Sequence, residues 1–158
     1  MAHLPGGVDD DVREQVLYVE DHPVNALLMQ TVFELRPELS LVIAADGASA
    51  LAVAGKLRPS LLLLDLRLPD CHGIELLERL RETPGWELIP AIAVTAEAEF
   101  MPAGTGFMDV WHKPLRVPTL LTRLDRILAP KPPQGARDLT ADPVARSGLP
   151  MPRTPPAF

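Results

Sequence analysis

From Gln15 onward, short apolar runs alternate with longer stretches whose apolar positions recur at helical spacing. "QVLYV" (15–19) is a β-rich run, and "PVNALLMQTVFELR" (23–36) predicts a helix with Pro23 in its first turn. Strands are predicted again at "LSLVIAA" (39–45), "SLLLLD" (60–65), "IPAIAVTA" (89–96) and "DVWHKP" (109–114). Helices are predicted at "ASALAVAGKL" (48–57), "GIELLERLRE" (73–82) and "VPTLLTRLDRIL" (117–128). Strands separated by helix-length segments imply right-handed crossovers and a parallel sheet with helices on both faces. The nearly unbroken apolar strands agree, because parallel strands are buried on both sides.

In such sheets ligands gather at the carboxyl ends of the strands. Those ends carry Glu20 and Asp21 after the first strand, Asp65 after the third, Thr95 after the fourth and Lys113 after the fifth. Taken alone, Asp65 in "LLLLDLRLPDCHG" (61–73) reads equally as a strand-end cap, since burying an unpaired carboxylate costs several kcal/mol. Three carboxylates, a hydroxyl and an ammonium meeting on one edge are better read as a site.

Composition narrows the class. The 158 residues suffice for one ordinary domain, and with 47% apolar but only 4% aromatic residues its core must be aliphatic. A net charge of −6 leaves no Lys/Arg stripe to neutralise phosphates, which argues against direct nucleic-acid contact. The single cysteine, Cys71, excludes an internal disulfide and fits a reducing compartment. No apolar run approaches the roughly 20 residues needed for membrane insertion, and "MAHLPGGVDDDVREQ" has no signal-like apolar region. A cytoplasmic location is expected. Residues 1–14 are expected to be an N-terminal extension. Residues 129–158 hold eight of the 18 prolines with no periodicity, and are expected to be a disordered tail, at most a polyproline-type ligand.

With these pieces in order, residues 15–128 resemble a response-regulator receiver domain, the phosphoacceptor module of two-component signalling. The resemblance rests on "VED" (19–21) followed by "HPVN", and on Pro69 and Gly73 four and eight residues past Asp65. It rests also on "AVTA" (93–96) and "HKPL" (112–115). It implies a flavodoxin-like five-stranded sheet of order 2-1-3-4-5. Asp65 is implied as phosphoacceptor, taking a phosphoryl group from a histidine of a sensor kinase or phosphotransfer protein. Glu20, Asp21, Asp65 and the backbone carbonyl of Arg67 are implied as Mg²⁺ ligands. Thr95 and Lys113 would contact phosphoryl oxygens, and the Lys113–Pro114 bond would be cis. Output would be contact with a downstream protein, and catalysis would be limited to the chain's own phosphoryl transfer and dephosphorylation.

The chemistry agrees with the resemblance. Clustered carboxylates raise one another's pKa unless a cation sits among them, and Mg²⁺ favours a few carboxylates plus waters and phosphate. Phosphoryl transfer needs an in-line oxygen nucleophile and positive charge on the equatorial oxygens. Two departures from the pattern stand out. The link between Thr95 and Lys113 is short and holds Pro102, Gly104 and Gly106, so the fourth helix of the family is expected to be shortened or missing. Val110 stands where an aromatic is common, and Trp111 beside it is expected to face the other side of the sheet.

Other signals fall away. "AGKL" (54–57) lacks both the first glycine and the Ser/Thr of a phosphate-binding loop. His3, His22, His72 and His112 show no metal-ligand spacing. A haloacid-dehalogenase-type phosphatase would need a second aspartate where Arg67 stands. A receiver that binds partners without taking phosphate is the remaining alternative. The chain is expected to be a stand-alone regulator rather than a piece of a hybrid kinase. Arg67 and Glu97, each two residues past a site residue, are expected to face each other above the phosphoryl group.

Overall fold

The computed structural model describes residues 13–128; the expected tail, and the expected extension before Arg13, lie outside the described residues. In chain order the elements are β1 (Glu14–Val19), α1 (Pro23–Glu34), β2 (Leu39–Ala44), α2 (Gly47–Ala54) and β3 (Leu61–Asp65). They continue with α3 (Gly73–Leu80), β4 (Ala91–Thr95), β5 (Asp109–His112) and α4 (Val117–Leu128). All strand pairs are parallel and the order is β2-β1-β3-β4-β5, as expected.

The period-2 alternation of the strands sorts the core into two layers. Leu17, Val19, Leu62, Leu64, Ala91 and Ala93 pack with α2 and α3 through Ala50, Ala54, Leu76, Leu77 and Leu80. Val16, Tyr18, Leu61, Leu63, Ile92, Val94 and Trp111 pack with α1 and α4 through Met29, Val32, Phe33, Leu120 and Leu124. Leu61 to Leu64 have no exposed surface at all, each worth about 1.5–3 kcal/mol of burial. That rigid central strand carries Asp65 at its end.

Helix ends are set locally. Asp46 caps α2 by accepting from Ser49 N at 2.7 Å, and His72 caps α3 by accepting through Nδ1 from Ile74 N at 3.1 Å. α2 stops at Ala54, short of the predicted 57, because the chain passes into tighter i→i−3 turns at Lys56 and Leu57. β5 stops at His112, before Pro114, which has no N–H to give a ladder. Arg36 grips Asp125 with two forked hydrogen bonds of 2.7 Å, fastening the end of α1 to α4. None of the described helices is long and apolar enough to cross a membrane.

Between β4 and β5 the described chain forms turns and no helix. Gly104 and Gly106 have φ of +79° and +95°, a left-handed backbone that breaks any helix here. Phe107 is buried instead and meets Phe100 edge-on at 6.2 Å. Trp111 and Val110 take opposite faces, Trp111 in the α1/α4 layer and Val110 against the other. Arg123 lies over the Trp111 ring at 5.6 Å.

Candidate functional site

Glu20, Asp21, Asp65, Thr95 and Lys113 all stand at the carboxyl end of the sheet. Glu20 follows β1 and is tied to the sheet by its N–H on Ala44 O at 2.9 Å. Lys113 follows β5, its N–H on Thr95 O at 2.8 Å, and the peptide bond to Pro114 is cis. Glu20, Asp65 and Thr95 are buried. Asp21, by contrast, is exposed.

Lys113 is the pivot. Its Nζ lies 2.9 Å from Glu20 Oε1 and 3.1 Å from Asp65 Oδ2. Burial alone would lower its pKa, but hydrogen bonds and charge from Glu20 and Asp65 outweigh that and hold the ammonium protonated. Burial pushes the Asp65 carboxyl above its ordinary range, and the Glu20 charge adds to the rise. Lys113 and the Arg67 N–H, which Asp65 Oδ1 accepts at 3.2 Å, offset only part of it. Asp65 is therefore a carboxylate held near a cation but not fully neutralised. One oxygen each from Glu20, Asp21 and Asp65 fall within 4.8 Å of one another, and hard oxygens so clustered suit a small divalent cation such as Mg²⁺.

The Thr95 hydroxyl accepts from Glu97 N at 3.0 Å, which leaves its own proton to donate elsewhere. Arg67 Nε meets Glu97 Oε2 at 2.8 Å, the pairing expected from their positions. Arg67, Glu97, Ala98, Glu99 and Phe100 line an open recess of about 440 Å³ at the rim.

Three further residues shape the site without having been read as part of it. Tyr18 donates to Glu20 Oε1 at 2.8 Å from inside the sheet; the signal was a lone phenol in an aliphatic strand, two residues before Glu20 and so on its face. Asp70 accepts from Gly47 N and Ala48 N, both at 2.9 Å, and so ties the loop after Asp65 to the start of α2. No sequence pattern marks a contact across 23 residues. His72, besides capping α3, pairs with Arg67 in an antiparallel bridge. Cys71 is half-buried beside Asp70, and burial, then that neighbour's charge, push its thiol up to about 11.

A five-stranded parallel α/β fold with an acidic cluster and a lysine at its carboxyl edge defines the class of domain, and comparison with known proteins agrees. The sequence profile of the response regulator receiver domain matches residues 16–125, and the chain belongs to that family. It is 37% identical over 119 residues to the probable transcriptional regulatory protein TcrX of Mycobacterium tuberculosis, covering 72% of this chain and 49% of that protein. It is 32% identical over 120 residues to the DNA-binding response regulator MtrA of Mycolicibacterium smegmatis, covering 73% and 50%. The chain thus spans about half the length of these curated relatives. Among solved structures, Vibrio cholerae chemotaxis protein CheY4 superposes with a TM-score of 0.67 at 26% identity, over 73% of this chain and 99% of that one. The receiver domain of Pseudomonas aeruginosa sensor histidine kinase PA1611, solved with magnesium in its active site cleft, gives 0.66 at 27%, over 75% and 99%.

Proposed function

We propose that Asp65 is the phosphoacceptor of a two-component phosphorelay. A carboxylate oxygen of Asp65 attacks the phosphorus of a phosphohistidine on a kinase or phosphotransfer protein; the P–O bond forms as the P–N bond breaks, and the imidazole leaves with the electron pair. Lys113 is the observation that carries this reading, because its ammonium already touches Asp65 and Glu20 and is placed to meet charge developing on a phosphoryl oxygen. The Thr95 proton is free to meet another oxygen. Asp21, Asp65, Glu20 and the Arg67 carbonyl would hold Mg²⁺. When bound, that ion supplies positive charge to the transferring group.

Output is by protein contact. The DNA binding named for MtrA belongs to that protein, and the receiver domain described here makes no direct nucleic-acid contact on this reading. Incubation with acetyl phosphate and Mg²⁺ tests the assignment: intact mass should show one phosphoryl group added, and Asp65→Asn should abolish it. Full labelling of Asp65→Asn would place the acceptor elsewhere. An inert wild-type protein would leave a binding module that takes no phosphate, and steady turnover would instead mark a phosphatase.

A further inference from the structure

Tyr18 has no exposed surface and sits in an otherwise aliphatic stretch of β1, flanked by Leu17 and Val19. A buried hydroxyl left without a partner costs about 1–3 kcal/mol, so such a group is placed in a core only where it finds one. Its partner is Glu20, two residues on and on the same face of the strand, at 2.8 Å. The phenol O–H donates and the Glu20 oxygen accepts, so the bond runs from Tyr18 to the carboxylate.

The donors on Glu20 are unequally shared. Oε1 accepts from Tyr18 Oη at 2.8 Å and from Lys113 Nζ at 2.9 Å, which fills both of its lone pairs. Oε2 accepts from His22 N at 3.1 Å, which leaves one lone pair to spare. The glutamate is thus gripped on both oxygens, with one acceptor position open.

We propose that Tyr18 is a positioning residue that fixes Glu20 in the orientation needed for divalent-cation binding and for seating Lys113 against Asp65. This rests on the phosphoacceptor reading of the site. The Tyr18 hydroxyl bonds Glu20 and not Asp65, and so acts through Glu20. A glutamate has one more rotatable bond than an aspartate, so without the phenol it has another rotor to swing and can draw Lys113 with it. Groups that orient a metal ligand from behind typically change metal affinity by about 10–100-fold when removed.

Tyr18→Phe removes one oxygen and keeps the ring in the core. Mn²⁺ binding followed by electron paramagnetic resonance should show an affinity about tenfold or more weaker than wild type. The Mg²⁺ concentration that half-saturates labelling by acetyl phosphate should rise by a similar factor. A role confined to packing moves neither quantity. Tyr18→Met, with similar bulk and no donor, should reproduce the loss should Tyr18→Phe fold poorly. In a Glu20→Ala background, Tyr18→Phe should add nothing further, since the two residues act as one unit. Wild-type affinity for Mn²⁺ in Tyr18→Phe overturns the inference alone. Failure of the wild-type protein to bind Mn²⁺ at all overturns it together with the reading of the site.

Discussion

Two connections leave the candidate site, and they are built from opposite materials. The loop after β3, residues 66–72, is held by hydrogen bonds at nearly every step: Leu68 N on Cys71 O, Gly73 N on Leu66 O, Asp70 on two amides of α2, and His72 on α3. The segment after β4, residues 96–108, is bonded mostly within itself, Phe100 N on Glu97 O, Thr105 N on Pro102 O and Phe107 N on Thr105 Oγ1. Beyond Met108 N on Ala91 O, it is anchored by the ring of Phe107 in the core and its contact with Phe100. Directional bonds fix a loop residue by residue, whereas one apolar anchor pins a segment at a point and leaves the rest to move. The first connection therefore suits holding Asp65 in place, and on the proposed function the second suits changing shape when Thr95 gains a new partner.

Removing the anchor should have the largest effect. Phe107→Ala should cost about 3–5 kcal/mol in denaturant unfolding, as for other buried aromatics. Hydrogen exchange in the wild-type protein should be faster across 97–106 than across 61–72, and Phe107→Ala should extend the fast region to Met108. Exchange in 97–106 as slow as in β3 would erase the contrast between the two connections.

The glycines come next, and they differ in kind. A Cβ on Gly73 would lie 2.6 Å from Asp65 O and 2.9 Å from Leu66 Cα, so backbone at Asp65 must shift. Gly73→Ala should cost about 1–3 kcal/mol and slow phosphorylation with it. A Cβ on Gly104 meets nothing within 4 Å, but its φ of +79° is strained for any L side chain. Gly104→Ala should cost about 1–2 kcal/mol and leave phosphorylation near wild type. Equal effects of the two on phosphorylation would mean that the loops are not divided as described.

These glycines also show how far the sequence could be read. Period-2 alternation and helical spacing are local, and from them followed the nine elements, their order and the strand ends that carry Glu20, Asp65, Thr95 and Lys113. Pro102, Gly104 and Gly106 announced the missing helix for the same reason. The sheet order came through resemblance. Tyr18 and Asp70 were not read as part of the site, and His72 was weighed only as a metal ligand, because their roles lie in hydrogen bonds and an apolar pattern does not say where a donor or acceptor points. Tyr18 was hidden by burial, and Asp70 by the distance along the chain to Gly47 and Ala48.

Asp70 gives a smaller effect, with a sign set by its partners. The Gly47 and Ala48 amides hold its carboxyl below the ordinary value of 3.8. A depressed folded-state pKa means that the stabilisation is fully present above 3.8 and lost as pH falls through the lowered value. Thermal midpoints of the wild type and Asp70→Asn should therefore differ most at neutral pH, with wild type higher, and converge in acid. A constant gap across that range would show that the loop is not tied to α2 by this charge.

The smallest stability effect belongs to the seam between the two connections. Arg67 lies in the hydrogen-bonded loop and Glu97 at the start of the anchored segment, and their side chains meet at 2.8 Å with the Arg67 side chain 80% exposed. A pair so open to solvent contributes about 0–1 kcal/mol to folding, and salt weakens it. Its kinetic effect need not be small. On the proposed reading, hydrolysis of an acyl phosphate on Asp65 requires a water in line with the P–O bond, and the pair stands at the rim where that water would enter. Arg67→Ala and Glu97→Ala should each speed loss of phosphate, by up to about tenfold if the barrier falls by about 1.4 kcal/mol. The double variant should decay no faster than the quicker single one, because either substitution already opens the rim. Decay measured by intact mass in high salt should move the wild type toward the variants. Unchanged decay in both single variants would show that the two connections, though joined at this point, do not gate the site together.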